Sequence, residues 1–276
     1  MAKYLTLILF MTTSFVMSNA YASKELAMIY YNPTSGIQTE DLVYKRVKQD
    51  LKSDFLIRDE KVSIERATHN LLAKKGLCVR NLIKTHERSK HYVFSEPMTY
   101  FLGLQVYTLP PVASEIASEI TLEGLIAHKR KLVLGVENER SYGDYVDQVL
   151  ANTPKGISIY TKHGPEDEGQ MHSMLMKGRV DIVVEYPAVM AFFNEQANIS
   201  PQEQPVALSM EGFPPLASGR IACRNTPSGR RFVERVNQSL KVIKSTDAYM
   251  DWHLDYVPKS LQHDFLNKLS HELVNS

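Results

Sequence analysis

Short apolar runs alternate with amphipathic stretches along nearly the whole chain after residue 25, a pattern that points to an α/β fold. A strand over 26–31 stops at Asn32-Pro33-Thr34-Ser35-Gly36, a dense cluster of turn formers. Leu42, Val43, Val47 and Leu51 fall at helical spacing, which predicts a helix over 39–52. A short strand over 55–58, a helix over 62–75 stopped by Gly76, and a strand over 77–79 complete a first α/β unit. A further strand over 104–108 ends at Leu109-Pro110-Pro111.

A second unit reads as helix 121–126, strand 131–136, helix 141–151, strand 157–160, helix 171–178 and a β-branched buried strand over 180–185. Another helix opens at Pro187, a residue tolerated in a first turn. From Pro205 the chain is irregular through Gly212-Phe213-Pro214-Pro215. A strand over 220–224 follows, then a helix from Arg230 with Phe232, Val233, Val236, Leu240 and Ile243 on one stripe. A last helix starts near 260, with Leu261, Phe265, Leu269 and Leu273 facing inward.

The N-terminus sets the expected compartment. Lys3 precedes an almost unbroken apolar run from Leu5 to Met17, and Ser18-Asn19-Ala20-Tyr21-Ala22 has the small-x-small arrangement of a signal-peptide cleavage site. Cleavage is expected between Ala22 and Ser23. The apolar run is shorter than the ~20 residues a membrane-spanning helix needs, and no cysteine adjoins the site to carry a lipid anchor. The expectation is a soluble, periplasmic, monomeric protein. Lys and Arg number 32 against 31 Asp and Glu, and Lys3 leaves with the signal, so the mature chain is formally neutral. That balance argues against nucleic acid as partner, and a hydrophobic content of 43% is that of a globular protein.

Cys78 and Cys223 are the only cysteines. In an oxidising compartment an even count suggests one bridge, the alternative being two separate buried thiols. A bridge would join the first α/β unit to the segment after the second. The simplest layout then has one lobe made from both ends of the chain (23–109 and 210–276) and another inserted between them (110–209), with two proline-containing crossovers as hinges.

Three stretches, taken in order, resemble the bacterial extracellular solute-binding proteins of family 3, the polar amino-acid type. The first is Thr85-His86-Glu87-Arg88 with Phe94-Ser95-Glu96-Pro97 and Tyr100, the Arg preceding the Phe by six residues. The second is Leu122-Glu123-Gly124-Leu125 with Leu132-Val133-Leu134-Gly135-Val136, and the third is Gly178-Arg179-Val180-Asp181-Ile182-Val183-Val184. A divergent subgroup, often found without an obvious transporter, looks closer still through Cys78 and the Ala-Cys-Arg-Asn-Thr-Pro-Ser-Gly-Arg segment around Cys223. The resemblance implies a two-lobed type II periplasmic-binding-protein fold with two hinge crossovers. It also implies a small-molecule solute, and as partner an ABC-transporter permease or the periplasmic domain of a membrane sensor. No cofactor or metal is implied.

The matching Arg of that family clamps a ligand carboxylate, a task suited to a planar fork that makes two parallel hydrogen bonds. Arg88 takes that role by resemblance, against the alternative of a surface Arg in a charged run. The turn Glu139-Arg140-Ser141-Tyr142-Gly143 offers helix N-terminal N–H groups and the Ser141 hydroxyl as an anion seat, or Ser141 as an ordinary N-cap. Where the family places an Asp for the ligand's ammonium this chain has Tyr186, preceded by Glu185. That departure points, within the class of small polar or anionic solutes, to an anionic or aromatic ligand rather than an ordinary α-amino acid. Tyr30, Tyr31, Tyr100 and Tyr142 are candidates to pack a flat ligand. Asp181 reads as structural and Trp252 as packing. No H-E-x-x-H, Cys/His ligand set or G-x-S-x-G is present. Some relatives of this fold are dehydratases of cyclohexadienyl compounds, so a lyase with Glu185 or Glu96 as general acid is the alternative function.

Overall fold

A computed structural model of the chain describes residues 24–31, 41–73, 76–116, 119, 121–138, 140–153, 159–163, 169–254 and 257–275. The expected signal segment and Glu139 lie outside these.

The first part runs β1 (Glu25–Tyr31), α1 (Leu42–Leu51), β2 (Phe55–Lys61), α2 (Ile64–Leu72), β3 (Cys78–Leu82), α3 (His86–Ser89), β4 (Tyr92–Phe94) and β5 (Thr99–Leu102). Asp41 and Ser63 cap α1 and α2 by accepting the N–H groups of Tyr44 and Arg66, which is why both helices start where they do. The middle part runs β6 (Gln105–Thr108), α4 (Pro110–Ile116), α5 (Leu122–Ile126), β7 (Leu134–Glu137), α6 (Asp144–Asn152), β8 (Ile159–Lys162), α7 (Gln170–Met176), β9 (Ile182–Glu185), α8 (Pro187–Gln196) and β10 (Val206–Leu208). The chain closes with β11 (Leu216–Arg224), α9 (Pro227–Ile243), α10 (Ala248–Leu254) and, after a short 3-10 turn, α11 (Gln262–Asn275). β6 stops at Thr108, ahead of Leu109-Pro110-Pro111 as expected, and Pro110 also opens α4, since proline suits a helix's first turn.

Two sheets result, and the architecture is two-lobed. The first has the order β2-β1-β3-β11-β4, with β5 also on β11. Its β1, β2 and β3 are parallel, while β11 returns antiparallel between β3 and β4. The second has the order β10-β6-β9-β7-β8. The strand over Gln105–Thr108 already pairs with β9 and β10 there, so the outward crossover falls between β5 and β6, ahead of Pro110. The return crossover lies between β10 and β11. The two crossovers touch: Gly103 N–H donates to the Pro215 carbonyl at 2.9 Å. A Cβ on Gly103 would sit 1.8 Å from the Pro214 oxygen, so only glycine fits.

Cys78 and Cys223 face each other across the antiparallel β3–β11 pair and form a disulfide. The bridge lies at zero exposure inside the first lobe's core, beside Ile29, Phe232, Phe265 and Tyr249. The second lobe's core is built on Val106, Ile116, Leu122, Leu125, Ile182 and Val184, with Tyr142 buried among them.

Candidate functional site

The first lobe's contribution is the α3 turn. Thr85 caps it by accepting the Arg88 N–H at 3.2 Å, and Ser89 Oγ donates back to the Thr85 carbonyl at 2.7 Å. This short turn is thus doubly tied. Arg88 is half-buried, and its Nη1 donates to the Ile83 carbonyl at 3.0 Å. Burial pulls its pKa down, opposed by the negative charge of Asp147 and by Tyr92 and Tyr186. Asp147 and Tyr186 belong to the second lobe, so Arg88 stands at the interface of the lobes. Two contacts cross beside it. His86 N–H donates to Asp144 Oδ1 at 2.9 Å, and the Phe101 and Tyr186 rings lie 5.9 Å apart.

The second lobe's face is organised by Arg140. Its two arms reach both oxygens of Glu185 at 2.7 and 2.6 Å, with Glu137 at 3.6 Å. Glu185 also accepts the Tyr186 N–H at 2.8 Å. The guanidinium lies 4.8 Å from the Tyr142 ring centre and 5.8 Å from that of Tyr186, a cation–π stack on both. Burial alone would lower the Arg140 pKa, but the Glu185 charge and hydrogen bonds outweigh it and hold the group well above its ordinary value. Burial pushes the phenols of Tyr142 and Tyr186 up to about 12, which keeps both neutral.

Ser141 and Tyr142 lie just ahead of α6. The helix begins at Asp144, its N-cap is Gly143 at φ 95°, and Ser141 is not the cap. The Ser141 hydroxyl donates to Asp147 Oδ2 at 2.5 Å and the Tyr142 N–H to Asp147 Oδ1 at 2.7 Å.

The tyrosines separate. Tyr186 and Tyr142 belong to the cleft cluster. Tyr31 ends β1 half-buried, with Arg80 4.4 Å from its ring centre. Tyr30, proposed on sequence as lining, is a core residue. Strand alternation turns it under α2 among Val62, Ala67, Leu71 and Val79. Tyr100 is likewise only 2% exposed, packed in the first lobe's core near His253. Glu96 is exposed, its backbone N–H held by Asn237 on α9. Asp181 accepts the Val133 N–H at 2.8 Å, a contact internal to the second lobe.

Sequence reasoning assigned no part to Arg140, Asp144, Asp147 or Phe101. Arg140 lay in a turn already singled out, and its partner Glu185 beside a recognised departure, but 45 residues separate them and no spacing rule links the two. Among the described residues no group of three or more His, Cys, Asp or Glu is arranged to hold a metal ion, and no helix is long and apolar enough to cross a membrane.

No protein-family model and no curated relative matches the sequence. Solved structures do match in shape. An ancestral arginine-binding protein bound to arginine is 20% identical at a TM-score of 0.63, over 85% of this chain and 99% of its own. The amino acid ABC transporter substrate-binding protein AbpA from Streptococcus pneumoniae, bound to L-arginine, is 16% identical at 0.62, over 87% and 99%. A putative L-cystine ABC transporter protein from Listeria monocytogenes is 13% identical at 0.63, over 86% and 97%. At these identities the likeness speaks for the fold, and nearly the full length of each of these proteins is spanned. The chain has the two-lobed fold of amino-acid solute-binding proteins.

Proposed function

We propose that this chain is an exported, periplasmic solute-binding protein whose lobes close by hinge motion around a small polar or anionic solute. Delivery would be to an ABC-transporter permease or to the sensing domain of a membrane protein, with the protein acting as a monomer. The hinge is assigned to the Gly103–Pro215 contact, and the lobes to the segments carrying the two sheets. The carrying observation is Arg88. Among the described residues its side chain has one hydrogen bond and no ion pair, yet it stands half-buried between the lobes. A guanidinium in that state has donors left for a ligand, and a carboxylate there gains charge-assisted hydrogen bonds.

The aromatic pair Phe101 and Tyr186 gives the same cleft an apolar wall. A lyase reading finds little support in its two candidate acids, because Glu185 has both oxygens bonded to Arg140 and Glu96 is exposed rather than buried.

A thermal-shift screen of organic acids, amino acids and polyamines tests the reading. A true solute at a hundred times its dissociation constant adds about 2.7 kcal/mol of stability. Absence of any shift across the screen, with unchanged solution scattering, would remove it.

A further inference from the structure

The cleft-facing end of α6 carries a carboxylate of its own. Asp147 lies one turn into the helix, half-buried, and its side chain turns back over the N-terminus. One oxygen takes the Tyr142 N–H at 2.7 Å and the other the Ser141 hydroxyl at 2.5 Å. The Gly143 N–H contacts the same Ser141 oxygen at 3.3 Å. A helix N-terminus favours negative charge, because its first N–H groups have no partner within the helix. From across the cleft, Asp147 is the principal charge opposing burial at Arg88. Asp144, on the same first turn, takes the His86 N–H of the other lobe at 2.9 Å. The donors at the second lobe's helix N-terminus therefore already hold a carboxylate, and the first turn of that helix meets α3, the turn that carries Arg88.

We propose that Asp147 is a built-in occupant of the second lobe's anion seat, and thereby a specificity-determining residue that bars solutes whose carboxylate must be held by both lobes. The inference rests on the cleft being the solute site and narrows the solute class. An acidic group of the solute meets Arg88 alone, and the second lobe receives an uncharged or apolar part against Tyr186 and Tyr142. A mere helix cap would make the same two hydrogen bonds, but its removal would create no affinity for anything.

Gain of binding is therefore the test, with L-glutamate and L-arginine as calorimetric probes of the mature, oxidised protein. Asp147→Ala should bind at least one of them about tenfold more tightly than the wild type, since the vacated donors then make charge-assisted bonds to the probe. Asp147→Asn keeps the size and an acceptor for Tyr142, and should gain about threefold from loss of charge alone. Adding Arg88→Ala to Asp147→Ala should erase the gain. If Asp147→Ala does not fold, the Asn variant decides. Affinities equal to wild type in every folded variant overturn the inference. The two readings fail separately. A wild type that binds nothing in the screen while a variant gains affinity keeps this inference and removes the solute-binding function. A wild type with a ligand and variants without gain do the reverse.

Discussion

In the first lobe, the Arg88 side chain makes one hydrogen bond among the described residues, to the Ile83 carbonyl. In the second, Arg140 has both arms on Glu185, a further carboxylate at Glu137 and aromatic rings on its flanks. The same asymmetry holds for carboxylates and N–H groups, since Asp147 and the Ser141–Tyr142 donors satisfy each other within the second lobe. A polar group that is already paired gains little from a ligand, whereas a partly desolvated donor with spare valences gains much. Two arginines in one cleft are thus not equivalent. Arg140 is committed within its own lobe, whereas among the described residues Arg88 keeps donors without a partner.

The lobes differ in how they are held together as well. The first has the disulfide, whereas among the described residues the second is held by non-covalent packing alone. The largest expected effect tests this contrast. Removing the bridge by Cys78→Ala with Cys223→Ala should cost about 3–5 kcal/mol, because it frees a loop of 145 residues in the unfolded chain. Trp252 is the sole tryptophan and packs on the first core, so its fluorescence reads that lobe alone. In urea its transition should fall further than the far-ultraviolet circular dichroism of the whole chain. Coincident, unshifted transitions would show that the bridge does not distinguish the lobes. Mass spectrometry of unreduced peptides should first find the Cys78–Cys223 linkage.

Between the lobes, Gly103→Ala places a Cβ against backbone, not against a yielding side chain. Relieving that clash requires the crossovers to part, at about 2–4 kcal/mol. A thermal midpoint unchanged from wild type would mean that the crossovers are not locked to each other. Arg88→Lys should weaken an identified acidic solute by about 1.5–3 kcal/mol, since a point charge cannot reproduce a two-pronged contact. Arg140→Lys should cost binding less and stability more. Equal losses of affinity at the two positions would erase the distinction between the two arginines.

What the sequence showed and hid follows from range. β1, α1 and α9 were legible because Leu42, Val43, Val47 and Leu51, or Phe232, Val236 and Leu240, repeat within their own segment. The Cys78–Cys223 pairing was legible because only one pairing existed. β4 and β5 were missed, since Tyr92–Phe94 and Thr99–Leu102 are short, are split by Ser95-Glu96-Pro97, and become strands only by pairing with β11, more than a hundred residues on. The start of α6 was set three residues early because Ser141 looks like a cap, while in the structure Asp147 claims its hydroxyl. Which face of β1 points to the cleft depends on where α2 packs, so Tyr30 could not be told from a lining residue by alternation alone. Arg88 was reached through a family resemblance; Arg140 and Asp147 needed the fold.

The smallest effect concerns acid and again separates the lobes. His253 is fully buried in the first core, stacked on Phe265 and edge-on to Tyr249, with Nδ1 donating to the Tyr249 carbonyl at 2.7 Å. Burial lowers its pKa to about 4 from the ordinary histidine value, because the imidazolium loses its hydration there. The unfolded chain takes up this proton near pH 6.5 and the folded chain only near pH 4. Between those values the unfolded state binds more protons, so stability falls as the pH falls. From pH 7 to pH 5 this group alone should cost about 1–2 kcal/mol. Its partner Tyr249 and its neighbour Trp252 share α10, so the loss should appear in the tryptophan-detected urea transition. His253→Phe, of similar shape and without a proton to gain, should remove that part of the pH dependence at the expense of the Tyr249 contact. If the variant and the wild type lose stability in parallel from pH 7 to pH 5, carboxylates elsewhere carry the acid response, and the first lobe has no acid-sensitive core of its own.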